Sequence, residues 1–240
     1  NEGDWASFHQ LSAQYMGAGD LDGNGKAEII ADFGGTDGVW MWVNDAFWTQ
    51  LTELTTGGIA TGDLDGNGRD ELVVNFGQEQ GTWVKMNDGA WSQLTTKAAP
   101  NMIACDLDAT GKDEIVLDFP APDGIWIRRN FLAWERINTS TGEGLACADL
   151  DGDGKQDLIV DFGSVHGVYA YRNDANWEKI TRASPGALAT GDVDSNGKAD
   201  VVADFGAGFG TMIYRNDALP WSMLSENASS VIASGNIDGN

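Results

Sequence analysis

Gly19-Asp20-Leu21-Asp22-Gly23-Asn24-Gly25-Lys26-Ala27-Glu28 returns as Gly62 to Glu71 (GDLDGNGRDE), Cys105 to Glu114 (CDLDATGKDE), Ala148 to Asp157 (ADLDGDGKQD) and Gly191 to Asp200 (GDVDSNGKAD). The opening aspartates Asp20, Asp63, Asp106, Asp149 and Asp192 stand 43 residues apart. Counting from that aspartate, side-chain oxygens fall at positions 1, 3, 5 and 9, and position 7 is expected to contribute its backbone carbonyl. The spacing suits a hard cation of calcium's size, and glycine at position 6 permits the sharp turn. The candidate ligand sets are Asp20, Asp22, Asn24, Lys26 and Glu28; Asp63, Asp65, Asn67, Arg69 and Glu71; Asp106, Asp108, Thr110, Lys112 and Glu114; Asp149, Asp151, Asp153, Lys155 and Asp157; and Asp192, Asp194, Asn196, Lys198 and Asp200. One such loop alone would read equally as a solvated Asp/Asn/Gly turn. Five in register favour calcium, about one per complete repeat, and clustered carboxylates that repel one another predict folding coupled to the ion.

Outward from each loop the chain enters a short apolar run, IIADFG, LVVNFG, IVLDFP, LIVDFG or VVADFG. A turn containing glycine leads to a second run such as GVWMWVND or GVYAYRND, and a third begins at Trp48, Trp91, Trp134, Trp177 or Trp221. A fourth (GIATGD, NMIACD, GLACAD, GALATGD) precedes the next loop. Runs this short, rich in Val, Ile, Trp, Tyr and Thr and bounded by Gly, Asn or Asp, read as strands, and no helix is expected. The run after the loop is apolar throughout, which implies burial on both faces. A four-stranded sheet sandwiched between copies of itself is a propeller blade. The expected fold is all-β, a β-propeller of four-stranded antiparallel blades in a single repeat domain, with complete units 20–62, 63–105, 106–148, 149–191 and 192–235. Residues 1–19 read as the end of a preceding unit, because Asn1 to Trp5 aligns with Asn44 to Trp48, and 236–240 as the start of a partial sixth. Six or seven blades in a longer chain are expected, with a half-blade made from both termini as the alternative.

The formal charge of −23, from 37 acidic against 14 basic residues, argues against nucleic acid and anionic membranes as partners. Ten Trp, nine Phe and four Tyr argue against the disorder that so acidic a chain otherwise suggests. No apolar run approaches the roughly 18 residues of a membrane span. Cys105 and Cys147 sit one and two residues before their loop aspartates, hence with opposite strand parity in consecutive units. They could meet across a blade interface as a disulfide in an oxidising compartment, or be two small buried hydrophobes. Asn138-Thr139-Ser140 and Asn227-Ala228-Ser229 are N-glycosylation sequons, roughly the number that chance supplies.

The pattern D-x-D-x-[DN]-G-x-x-[DE], followed by an apolar strand ending in Phe-Gly and then a Gly-led strand, resembles the FG-GAP or VCBS repeats of integrin α-subunit propellers, fungal propeller lectins and bacterial surface proteins. The resemblance covers essentially the whole chain, with Phe119-Pro120 departing from Phe-Gly. It implies calcium loops between the first and second strands of each blade, on one rim. It implies no single ligand, since adhesion receptors, lectins and accessory domains of enzymes share it.

Other motifs carry less. Asp32-Phe33-Gly34 and its copies spell the kinase metal motif without a phosphate loop or catalytic loop, and so read as strand ends. Gly206 to Gly210 lacks the helix that a nucleotide loop needs. His9 and His166 occupy unrelated repeat positions, and the clustered carboxylates are taken by the metal loops, so catalysis is not expected. The third-strand position held by Trp42, Lys85, Arg128, Tyr171 and Tyr214 varies while staying aromatic or cationic, suiting either a ligand face or ordinary outer-strand surface. The function these features support is an extracellular, calcium-binding, non-catalytic module for a carbohydrate or protein ligand. A subunit of a surface filament or array and an accessory domain of a secreted polysaccharide-active enzyme are the alternatives.

Overall fold

A computed structural model describes residues 9–215, 218–229 and 231–233. The terminal segments 1–5 and 236–240, read above as parts of further units, lie outside the described residues. The five sheets are antiparallel and four-stranded, each in simple chain order. The first holds β1 (Tyr15–Gly19), β2 (Glu28–Asp32), β3 (Val39–Val43) and β4 (Phe47–Thr52). The second holds β5 (Ile59–Gly62), β6 (Glu71–Asn75), β7 (Thr82–Lys85) and β8 (Trp91–Thr95). Then come β9 (Asn101–Cys105), β10 (Glu114–Phe119), β11 (Gly124–Arg128) and β12 (Trp134–Asn138), followed by β13 (Gly144–Ala148), β14 (Asp157–Asp161), β15 (Val168–Arg172) and β16 (Asn176–Thr181). The last is β17 (Ala187–Gly191), β18 (Asp200–Asp204), β19 (Thr211–Arg215) and β20 (Ala218–Ser225). Strands β1 to β8 belong to one compact unit, and β9 to β20, with residues 63–67, to a second.

The architecture is the expected all-β one with propeller blades, but the phase differs. The strand before each acidic loop pairs with the strand after it, Gly19 facing Glu28 and Cys105 facing Glu114, so it opens its own sheet rather than closing the preceding unit. The helix-free expectation also needs correction. A single α-helical turn, α1 (Gly163–His166), and a 3-10 turn at Arg129–Phe131 occupy two of the connections.

Burial explains the patterns. β6, β10 and β14 are buried at every residue, which is why their sequences are continuous apolar runs. In the first unit Ile30, Val39, Leu72 and Val74 form a core with Leu21, Ile59 and Trp91 at its margin. In the second, one core gathers Leu107, Val116, Ile127, Leu158 and Val160, and another Leu150, Ile159, Val168 and Val201. Leu107 and Leu150 come from the acidic loops: between two outward aspartates, alternation turns position 2 inward and pins the loop to the core. Every third strand begins with a bulge, between Val39 and Trp40 and at the equivalent points of the other sheets. The glycine that introduces it (Gly38, Gly81, Gly124, Gly167, Gly210) has positive φ, and a Cβ there would collide with a backbone carbonyl of the fourth strand. The strand-end aspartates are hydrogen-bond hubs. Asp32 accepts from Gly34 N–H (2.8 Å) and from Thr56 N–H (2.7 Å), tying its own turn to the segment that enters the next sheet.

Candidate functional site

Each acidic loop is wound around its first aspartate. Asp20 Oδ1 accepts from the N–H groups of Gly23 (2.8 Å) and Asn24 (3.0 Å), and Oδ2 from Gly25 (2.7 Å). Asp149 repeats the arrangement with Gly152, Asp153 and Gly154, Asp106 with Thr110 and Gly111, and Asp192 with Asn196 and Gly197. In the loop opening at Asp63, Oδ1 accepts from Gly66 (2.7 Å) and Asn67 (3.1 Å). Position 4 is left-handed throughout, including Ala109 and Ser195 at φ 58°. These turns draw carboxylates together: ligand atoms of Asp20, Asp22 and Glu28, of Asp106, Asp108 and Glu114, and of Asp192, Asp194 and Asp200 lie within 4.8 Å of one another.

The donor set fits a cation. Glu28 is 1% exposed, and its Oε2 accepts from Leu21 N–H (3.0 Å) while Oε1 is buried with no hydrogen-bond partner. An orphaned carboxylate oxygen at the base of an acidic cluster is costly unless a cation meets it. Burial pushes the Glu114 carboxyl up to about 7, with the charges of Asp108 and Asp106 adding to the rise, which a cation at the cluster would reverse.

The fourth loop departs from the expected ligand set. There the converging carboxylates are Asp149, Asp151 and Asp153. Asp157 instead faces Arg172 in a buried ion pair (2.9 Å) and accepts from Asn173 N–H (3.0 Å). Burial raises its pKa and Arg172 opposes the rise.

One recurrent side chain escaped the sequence reading. Asn44, Asn130 and Asn173, left-handed residues in the turn between third and fourth strands, donate Nδ2 to Asp22 (2.7 Å), Asp108 (3.0 Å) and Asp151 (3.1 Å). They hold the position-3 carboxylate from outside the loop. The 43-residue recurrence of Asn at the end of the third strand was the available signal, masked because Asn is also ordinary turn chemistry.

The variable third-strand residues pack chiefly on the recurrent tryptophan. Trp42 meets Trp48 at 5.4 Å, Tyr171 meets Trp177 at 5.0 Å, Tyr214 meets Trp221 at 5.5 Å, and the Arg128 guanidinium lies 5.7 Å from the Trp134 ring. Tyr171 and Tyr214 are only 7% and 6% exposed. Lys85 Nζ donates to the Gly89 carbonyl (2.7 Å) and closes its hairpin. On its other side the tryptophan meets the strand-end phenylalanine, as in Phe33–Trp48, Phe76–Trp91, Phe162–Trp177 and Phe205–Trp221 at 5.3–5.4 Å. Cys105 and Cys147 are joined as a disulfide with Cα atoms 6.1 Å apart.

Beside Trp177 a cavity of about 280 Å³ opens, lined by Asn138, Ser140, Phe162, His166, Tyr169 and Trp177. Phe162 and Tyr169 meet edge to face at 5.7 Å, and Lys179 Nζ lies 4.8 Å from the Tyr169 ring centre. Asn138 is the counterpart of His9, three periods earlier. His9 stacks on Phe33 at 4.1 Å and meets Trp48 at 5.3 Å, and Asn138 at the equivalent place lines the cavity with Phe162 and Trp177. His166 stands at the end of α1, on the cavity wall.

Residues 149–203 match the family model of the FG-GAP-like repeat. No curated protein matches the chain in sequence. Among solved structures it is similar to an Agrocybe aegerita lectin described in its specific recognition of non-reducing terminal N-acetylglucosamine, with TM-score 0.64 and 17% identity over 90% of this chain and 68% of that one. It is similar to rhamnogalacturonan lyase YesW, with TM-score 0.54 and 16% identity over 90% of this chain and 52% of that one. A Niastella koreensis GH74 enzyme gives TM-score 0.64 and 15% identity over 95% of this chain and 34% of that one. At these identities the likeness is one of fold, the β-propeller. The chain thus spans about half of the lyase and a third of the GH74 enzyme.

Proposed function

We propose that this chain of FG-GAP-like repeats works outside the cell as a calcium-loaded, non-catalytic propeller module that binds carbohydrate. The observation that carries the reading is the cavity beside Trp177, where three aromatic rings stand next to Asn138, Ser140 and His166. Sugar rings present apolar C–H faces that pack on aromatic rings, and hydroxyl groups that need fixed polar partners. The recognition of N-acetylglucosamine by the structurally similar lectin supports a sugar over a protein ligand. Asp20, Asp22 and Glu28, their counterparts in the other loops, and Asp149, Asp151 and Asp153 in the fourth would hold calcium, which supplies the positive charge that lets the carboxylates converge. The Cys105–Cys147 disulfide supports an oxidising compartment.

A glycan array probed in calcium buffer, followed by calorimetry on any hit, tests this. Binding that chelation weakens and that Tyr169→Ala reduces at least about tenfold is expected, as loss of a stacking face implies. Silence across the array, or a hit indifferent to Tyr169→Ala, overturns it. A second reading, an accessory part of a larger polysaccharide-active enzyme, is favoured by the shares of YesW and the GH74 enzyme that the chain spans. Polysaccharide cleavage by the full-length gene product, unaffected by changes in this chain's acidic loops, would support it.

A further inference from the structure

Neighbouring acidic loops are tied together by paired hydrogen bonds that use no ligand side chain. In the first unit Asp20 N–H donates to Asp70 Oδ2 (2.8 Å), and Asp70 N–H donates back to the Asp20 carbonyl (2.8 Å). In the second unit the same pair joins Asp63 to Asp113 (2.9 and 2.8 Å) and Asp106 to Gln156 (3.0 and 2.9 Å). Between Asp149 and Ala199 the backbone half alone is made, Ala199 N–H to the Asp149 carbonyl at 2.8 Å. The partners are always position 1 of one loop and position 8 of the next.

Both positions matter to a bound ion. Position 1 is the aspartate around which its loop is wound, and position 8 precedes the ninth-position carboxylate. Position 8 also shares a peptide unit with position 7, whose carbonyl the loop pattern assigns to the cation. The Lys155–Gln156 peptide therefore serves two loops, its carbonyl assigned to its own and its N–H donated to Asp106 of the one before. Position 7 adds a second tie. Arg69 Nε and Nη2 donate to the Leu21 carbonyl (3.0 and 2.8 Å), and the Lys112 and Lys198 stems lie against Gly66 and Gly152.

We infer that neighbouring loops load calcium as coupled sites, with the position-8 side chain as the positioning residue for the preceding loop. The inference rests on the calcium reading above. An ion that orders and polarises the 155–156 peptide strengthens its N–H as a donor to Asp106. By reciprocity, occupation of the Asp106 loop favours occupation of the Asp149 loop equally. The tie is weaker where Ala199 offers no acceptor.

The test is a calcium titration of the whole chain, stripped with chelator, by calorimetry. Q156A removes no ligand, yet is expected to weaken loading about three- to tenfold, as loss of one hydrogen bond implies, and to make the isotherm shallower. A199Q supplies the missing acceptor and should move both the other way. D151A/D153A, which disables one loop, should weaken the sites that remain. Melting in excess chelator reports any purely structural role, and Q156A should shift it far less than it shifts melting in calcium. Unchanged isotherms for Q156A and A199Q, or equal melting shifts with and without calcium, overturn the coupling while leaving calcium binding intact. A wild-type chain that takes up no calcium overturns both readings.

Discussion

At Asp118 burial, unrelieved by one backbone hydrogen bond that its counterparts have, raises the pKa of a side chain. Its counterparts Asp32, Asp161 and Asp204 each accept at Oδ1 from the N–H of a glycine two residues on, Gly34, Gly163 and Gly206, at 2.7–2.9 Å. Proline occupies that place as Pro120 and has no N–H. Asp118 Oδ1 is accordingly buried without a partner, and burial pushes the carboxyl from 3.8 to about 6 against the bonds from Asn101 and Gly142. With the folded pKa above the unfolded one, the unfolded chain releases its proton first. The contribution of Asp118 to stability should therefore fall as pH rises from about 4 to about 6 and stay level above that. Asp118→Asn keeps the accepting oxygen, so at pH 7 it should unfold at higher denaturant, by on the order of 2 kcal/mol, with no advantage at pH 4. A midpoint equal to wild type at both pH values would refute this. Phe119-Pro120 was visible in the sequence as a departure, but its consequence was not, because a lost donor matters only once burial denies the acceptor water.

Strand number and strand type were legible from the 43-residue period, and the family resemblance implied a loop between the first two strands, yet the period itself did not give the blade's starting point. A period has no origin, and the same alignment results wherever the unit is cut. Only the pairing of β1 with β2, and of each counterpart with its successor, decides that the strand before the loop opens the sheet. The third strand's entry teaches the complementary lesson. Its leading glycine recurs visibly, and the structure supplies the cause in a positive φ and a carbonyl too near for a Cβ. Gly81→Ala should lower stability by about 2 kcal/mol or more, since the strained φ and the clash with Thr95 add. Equilibrium denaturation checks this, and a change under about 0.5 kcal/mol would show that the bulge relaxes freely.

For the whole molecule, the excess of 37 acidic over 14 basic residues is a self-repulsion that bound cations should relieve. Chelation should lower the melting temperature steeply, since each site adds about 2.7 kcal/mol when calcium is a hundredfold above Kd; an unchanged melting curve would end the calcium reading. The Cys105–Cys147 bridge closes a loop with sequence separation 42, so C105S/C147S should cost about 2–4 kcal/mol in denaturant unfolding. What the sequence determined alone was whatever repeats: the period, the strands, the acidic loops and the burial of the run after each loop, because local chemistry copied five times averages away accident. Tertiary structure decided whatever differs between copies. Asp157 turns to Arg172 rather than joining its cluster, Gln156 or Ala199 completes or weakens the tie to the loop before, and a cavity opens beside Trp177. Each of those outcomes depends on atoms brought together from segments distant in sequence, where packing rather than pattern sets what fits.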